Sequence, residues 1–358
     1  MSATSPRKVL VTGGYGVSGT GVVQATLNDP RWTAVTAGRR PAPETLLEGQ
    51  RAPAHVSVDL LDADATTKAF ASLSDVTDVA FCAYLEGRTA AETVAPNVAM
   101  LENTLNALAK AGAKVGRIVL MGGGKSYGAH LGPYKTPAKE SDPRHLPPQF
   151  YEAQEDALRA WSAAHDAQWT ILRPDGIIGP SLGSPMNLLT GLATYAAVCK
   201  EFGVPFRFPG SPQAWNALHQ VTDADVLGRA TLWALDSDAA KNEIFNITNG
   251  DNYRWKHLWG DLAKFFDIAV EEPQPIPLAE YMSDKGPVWD VIVQKHNLVP
   301  TAWTQIASWR FVEGIMNVGF DLAQSTIKAR KAGFADCIDT HESFLGHLAR
   351  LRKARLIP

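Results

Sequence analysis

Apolar residues in the first half of the chain recur in short β-branched runs: "KVLVT", "TAVTA", "HVSVDL", "DVAFCA", "GRIVLM" and "WTILRP". Between them lie longer stretches such as "GTGVVQATLND" and "NVAMLENTLNALAKAG" that carry a helical pattern. Near-continuous apolar runs suit strands buried on both faces, and their alternation with helices predicts βαβ units and a parallel sheet. Beyond Ile178 the pattern breaks into Gly, Pro and Met-Asn punctuation around one helix, "NLLTGLATYAAVCKEFG". "VTDADVLGRATLWAL" and "EIFNITNG" then return to the sheet layer as a helix and a late strand. From Asn252 onward, "RWKHLWGDLAKFF" and further Trp-containing segments predict mostly helix. The expected architecture is α/β: a Rossmann-type doubly wound parallel sheet over residues 1–180, with a returning segment 213–250. Residues 181–212 and 251–358 form a smaller, mostly helical C-terminal substrate domain, whose arms are expected to close over the cofactor edge.

Composition narrows the function classes without choosing among them. The chain has 358 residues, 45% hydrophobic and 20% charged, enough for a large core without staples. Its three cysteines, Cys82, Cys199 and Cys337, are far apart and never in a CxxC pair, so neither a disulfide framework nor a metal site is expected. A formal net charge of -3 offers no attraction to nucleic acid or an anionic membrane. The basic C-terminal "ARLRKARLIP" is interleaved with Leu351 and Leu356 and reads as the solvated face of a terminal helix. The chain runs from a short polar leader straight into a strand, without the apolar core of a signal peptide, and a cytoplasmic location is expected.

In "VLVTGGYGVSGTGVV", Gly13, Gly16 and Gly19 fall where the first strand turns into the first helix. Gly13 allows the tight turn, Gly16 lets the backbone approach a pyrophosphate, and Gly19 lets the helix pack on the strand, with Val17 opening that helix. The second strand ends in Arg39 and Arg40, where a carboxylate would chelate the ribose diol. Two guanidiniums there suit a 2'-phosphate, so NADPH is expected over NADH. Asp59 and Leu60 follow the third strand at the adenine edge, although Asp59 suits equally well as the cap of a helix near Ala63.

The segment "QFYEAQED" opens a helix with Tyr151, but the residue four positions on is Glu155, where such a helix downstream of a dinucleotide-binding signature normally carries lysine. A lysine is available elsewhere. The fifth strand, "RIVLM", delivers Lys125 in "GGGKSYGAHLGPY" to the carboxyl end of the sheet, where ligands bind in such folds. Tyr151 would donate to a developing oxyanion, and the Lys125 ammonium would lower the phenol's pKa and steady the charge. Tyr127 and Tyr134 lie close enough in sequence to compete as donors. After the sixth strand, Arg173, Pro174 and Ile177 are expected at the nicotinamide edge. Met186, Asn187, Trp215, Met316 and Phe320 are candidates for an apolar substrate lid, while Trp255, Trp259, Trp303 and Trp309 are assigned to packing.

These segments, together with "ESDPR", "RPDGIIGP", "MNLLTGLATYAAVCKEFG", "KNEIFNITNGDNYRWKHLW" and "GPVWDVIV", resemble the progesterone 5-beta-reductase and iridoid synthase family. That family is a divergent branch of the extended short-chain dehydrogenases/reductases, and the resemblance runs over nearly the whole chain. It implies that Tyr151 and Lys125 are the catalytic pair, and that NADPH delivers hydride to the β-carbon of an enone or enal. Gln149, Glu152 and Ser126 depart from the family pattern around that pair. The expected partner is a small apolar substrate whose carbonyl is conjugated to a C=C bond; nucleic acid and membrane are not expected, and a homodimer is left open. Carbonyl reduction or epimerisation of the extended short-chain type, and a non-catalytic NADP(H) sensor, are the competing readings.

Overall fold

The computed structural model describes residues 7–41, 47, 49–181, 183, 184 and 186–358. Seven strands form one parallel sheet in the order β3-β2-β1-β4-β5-β6-β9. They are β1 (Arg7–Thr12), β2 (Trp32–Gly38), β3 (Ala54–Ser57), β4 (Asp78–Phe81), β5 (Arg117–Met121), β6 (Gln168–Pro174) and β9 (Glu243–Ile247). A separate parallel pair joins β7 (Gly176–Ile178) to β8 (Val221–Asp223). The helices α1 (Val17–Asn28), α2 (Ala63–Ala69), α3 (Ala90–Lys110) and α4 (Phe150–His165) connect the strands of the first half. Beyond β7 come α5 (Leu188–Glu201), α6 (Pro212–Asn216), α7 (Ala224–Asp236) and α8 (Trp255–Phe266). The last are α9 (Leu278–Tyr281), α10 (Gly286–Lys295), α11 (Trp303–Ile306), α12 (Trp309–Met316), α13 (Ile327–Lys331) and α14 (Thr340–Lys353). None is long and apolar enough to cross a membrane among the described residues.

Strand residues sort onto the two faces with period two, as the pleat requires. Val9, Val11, Ala80, Val119 and Leu172 join one buried cluster with residues of α1 and α7. Their neighbours Leu10, Val79, Phe81, Ile118, Leu120 and Ile171 join the other, with residues of α3 and Leu158 of α4. Each such aliphatic side chain contributes roughly 1.5–3 kcal/mol of burial. A third cluster fills the second half of the molecule. There Trp255, Trp259 and Trp289 are fully buried against α5 residues such as Leu189, and Trp309 is buried beside them. The assignment of the tryptophans to packing therefore agrees with their positions, with Trp303 partly buried on the same cluster.

Two contacts set the relation of these layers. Helices α1 and α7 touch backbone to backbone: a Cβ on Gly21 would stand 1.8 Å from Ala224 O, and one on Gly228 2.1 Å from Gly21 O. Asp223 caps α7, accepting from Asp225 N (2.8 Å), and also binds α14. Ser343 Oγ donates to its Oδ2 at 2.5 Å, and His347 Nε2 lies 2.9 Å from the same oxygen. The neighbouring Asp225 is taken by Arg350 at 2.7 Å. Burial opposes ionisation of Asp223, but His347, Ser343 and the Val226 amide outweigh it and hold the carboxyl well below the usual carboxylate range. A depressed folded value adds stability that is complete above the unfolded value of about 3.9 and is lost as pH falls. Asp223→Asn is therefore expected to cost about 2 kcal/mol at neutral pH. Thermal unfolding should show the gap between variant and wild type narrowing as the pH falls below about 4.

Candidate active site

The carboxyl ends of β1, β2, β4, β5 and β6 open onto one cavity of about 610 Å³. At one end the chain turns through Gly13 at φ +60°, in a space where a Cβ would meet Cys82 O at 2.9 Å. A Cβ on Gly19 would lie 2.3 Å from Gly13 O, so only glycine lets α1 pack this close to the turn. Gly16 is the N-cap of α1 and has no side chain to serve the first amides, and the first turn has no acidic residue. Those amides suit an anionic group. Val17 lines the cavity beside them.

Arg39 and Arg40 stand at the rim after β2, and the Arg40 guanidinium donates to Gly183 O. Asp59 and Leu60 line the same edge. Asp59 is not the cap of α2, because Asp62 takes that place by accepting from Ala65 N at 2.9 Å. Pro174 and Ile177 line the cavity, but Arg173 does not. Its buried guanidinium donates to Glu155 Oε1 at 2.7 Å and lies 5.1 Å from the Tyr127 ring centroid. The expectation of a cofactor contact for Arg173 is thus corrected: a carboxylate 1% exposed requires a cation, and Glu155 claims this one.

At the other end, β5 runs into Gly122, Gly123 and a short turn, Gly124–Tyr127, carrying Lys125. Gln149 caps α4 by accepting from Tyr151 N at 2.7 Å, which seats Tyr151 at the helix start. A Cβ on Gly123 would stand 2.7 Å from Tyr151 Oη, so the phenol lies on bare backbone two residues before Lys125. Both side chains line the cavity. The electrostatics differ from expectation. Burial pushes the Tyr151 phenol well above its ordinary 10, and the charge of Glu86 pushes it further. Lys125 does not lower it; its Nζ faces Glu86 Oε1 at 3.9 Å.

Tyr127 and Tyr134 do not line the cavity. The Tyr127 hydroxyl donates to Asn246 Oδ1 at 2.5 Å, and burial pushes it up to about 12. Tyr134 accepts from Ala323 N at 3.3 Å and packs edge-on against Phe320. Of the lid candidates, only Met186 lines the cavity. Asn187 caps α5 and donates to Gly179 O at 3.0 Å, while Trp215 packs on Phe208. Met316 is fully buried in the core with Trp309 and Val312, on the inner face of α12. The wall of the cavity is the other face of that helix, Phe311 and Ile315, continued by Val318 and Leu322. Trp309, Phe311, Val312, Ile315 and Met316 form one broad apolar arc on α12, so periodicity locates the helix without saying which part of the arc meets the cavity.

Residues that sequence reasoning did not select complete the site. Tyr84 and Glu86, in the loop after β4, line the cavity beside Phe150. Their signal was their place just beyond the carboxyl end of a central strand. Asp175, directly after β6, also lines it, and burial pushes its carboxyl up to about 6.

Glycine turn, arginine rim and strand-end lysine thus share one cavity with a helix-start tyrosine. A family model described as a PRISE-like Rossmann-fold domain matches residues 9–358. The chain belongs to the PRISE-like Rossmann-fold family. One relative of this PRISE-like chain is (S)-8-oxocitronellyl enol synthase CYC2 of Camptotheca acuminata. It is 33% identical over 338 residues, covering 91% of this chain and 86% of the relative. Another, the 3-oxo-Delta(4,5)-steroid 5-beta-reductase of Arabidopsis thaliana, is 31% identical over 342 residues, with the same coverages of 91% and 86%. Among solved structures, UDP-glucuronic acid 4-epimerase from Bacillus cereus superposes with a TM-score of 0.67 at 15% identity. That match covers 97% of this chain and 99% of the other, and shows the shared fold. The PRISE-like chain is an oxidoreductase of the short-chain dehydrogenase/reductase type.

The buried pair offers a direct check. Arg173→Met leaves Glu155 with only Arg159 at 3.2 Å and Arg144 at 3.9 Å, both partly exposed. Urea unfolding should show a loss on the order of 3 kcal/mol, and Glu155→Gln in the same chain should recover part of it.

Proposed function

We propose that the chain reduces activated C=C bonds of enones or enals with NADPH, delivering hydride to the β-carbon. The observation that carries this reading is the meeting of Tyr151 and the Lys125 segment at Gly123, with the usual lysine position held by Glu155 in a buried ion pair. The residues at the nucleotide end fit the cofactor. The uncapped amides of α1 would hold the pyrophosphate, Arg39 and Arg40 the 2'-phosphate, and Pro174 and Ile177 the nicotinamide edge. When bound, NADPH supplies the hydride.

The chain's own residues manage the charge. As hydride reaches the β-carbon, negative charge gathers on the carbonyl oxygen. Tyr151, poised on Gly123, donates a hydrogen bond to that oxygen, and Lys125 turns from Glu86 to neutralise it. Burial that makes a free phenolate costly keeps Tyr151 protonated, and therefore a donor, throughout the neutral range. Phe311, Ile315, Val318 and Leu322 offer an apolar wall to the remainder of the substrate, consistent with a small or medium apolar molecule. The names of the relatives, an 8-oxocitronellyl enol synthase and a 3-oxo-Delta(4,5)-steroid 5-beta-reductase, support this reading. A cytoplasmic setting fits the demand for reduced cofactor.

Tyr151→Phe is expected to lower kcat toward cyclic enones about 10²–10³-fold while NADPH still binds, as read by its fluorescence. Unchanged turnover would sink the reading. Arg39→Ala with Arg40→Ala should weaken NADPH at least about tenfold and leave NADH affinity in place. An allylic alcohol among the products, in place of a ketone with its C=C bond saturated, would assign the chain to carbonyl reduction.

A further inference from the structure

A phenol at the carbonyl oxygen leaves half of the reaction unassigned. The α-carbon must also gain a proton, and it lies on the opposite side of the carbonyl carbon from the oxygen that Tyr151 serves. A second acid facing the same chamber is therefore needed if the saturated product is to be completed inside the protein.

Besides Asp175 and Glu86, the cavity holds a second phenol. Tyr84 lines it from the loop after β4, its ring centroid 5.2 Å from that of Phe150, which in turn lies 4.0 Å from Tyr151. Negative charge on Tyr151 would push the Tyr84 phenol up, and Glu86 raises both. Glu86, two residues on in the same loop, lines the same cavity and is half exposed at 51%, so its carboxylate reaches both the chamber and water. Its other neighbour is Lys125, whose charge the enolate draws away during the reaction. Among the described residues the one other tyrosine lining the cavity is Tyr15, at the nucleotide turn, where it accepts from Thr36 at 3.3 Å.

We infer that Tyr84 is a further catalytic residue, which protonates the α-carbon and is itself reprotonated from water through Glu86. The inference rests on the reductase reading. The step balances as follows. Hydride brings its electron pair to the β-carbon, and the C=C π pair shifts to leave an enolate held by Tyr151 and Lys125. The enolate carbon then takes the Tyr84 proton; the C–H bond forms as the O–H bond breaks, and the carbonyl double bond returns. Water at Glu86 restores the phenol, so the net proton comes from solvent and both electrons come from NADPH. Without Tyr84 the enol departs and ketonises in water without facial preference.

The probe is 2-methylcyclohex-2-enone, whose product, 2-methylcyclohexanone, records the face of protonation as its enantiomer ratio. In the wild-type chain with NADPH, one enantiomer should exceed the other at least tenfold. Tyr84→Phe should bring the ratio within twofold of racemic, and Glu86→Gln should fall between. Tyr151→Phe should slow the reaction without moving the ratio. A second readout needs no reduced cofactor: in D₂O, the wild-type chain with NADP⁺ should exchange the α-hydrogen of 2-methylcyclohexanone on one face, and Tyr84→Phe should lose that exchange at least tenfold. An unaltered ratio or unaltered exchange in Tyr84→Phe overturns the inference, as does a racemic product from the wild type. If Tyr84→Phe melts early, Glu86→Gln carries the same test, and an unaltered ratio and exchange there overturn it. Failure of the wild type to reduce any enone overturns the reductase reading instead, while exchange by the NADP⁺ complex continues to judge Tyr84.

Discussion

A carboxylate with almost no exposure must be paired, and in this chain that requirement organises the site. Glu155 is 1% exposed and is held by Arg173 at 2.7 Å. Taking two charges out of water costs several kcal/mol each, recovered only when geometry and further hydrogen bonds are good. Here Arg173 also lies over Tyr127, whose hydroxyl donates to Asn246 on β9. One run of contacts therefore joins β9, the turn bearing Lys125, β6 and α4. The helix that presents Tyr151 and the turn that presents Lys125 are fastened to the same guanidinium. This accounts for how a tyrosine and a lysine far apart in the chain keep a fixed relation without a shared helix.

The arrangement also spreads charge differently from a helix in which tyrosine and lysine are neighbours. With Glu155 and Arg173 neutralising each other in the interior, Lys125 and Glu86 are left as a facing pair beside Tyr151. They face each other at 3.9 Å and are each about half exposed, at 46% and 51%, a geometry of low cost to open. Tyr151 is left with burial and the charge of Glu86, both of which favour the neutral phenol. Such a phenol is a donor, and on the proposed mechanism the ammonium would turn toward a developing oxyanion.

Closure of the cavity depends on the second half of the chain. Phe311 and Ile315 on α12 line the cavity while packing on the core formed by α5, α8 and the buried tryptophans. Asp223 ties that body to the sheet through α7 and α14 at once. Contact between Gly21 and Gly228 leaves no room for α7 to shift without parting the two backbones.

The strands, their order of appearance and the glycine turn could be read from the chain alone, because period-two burial and backbone conformation are local properties that leave their mark at each position. Lys125 and Tyr151 could be read as well, through their places at a strand end and a helix start. What only the tertiary structure decided was direction and partnership. Arg173 was expected at the cofactor and instead serves Glu155; Met316 was expected in the lid and instead faces the core, one residue from Ile315, which lines the cavity. Tyr127 was a rival donor until Asn246 took its hydroxyl. Tyr84 and Glu86 carried no motif at all. Spacing along a chain specifies which residues share an element. Which of them meet across elements depends on the packing of many distant side chains, and burial then decides which charges pair and which remain for chemistry.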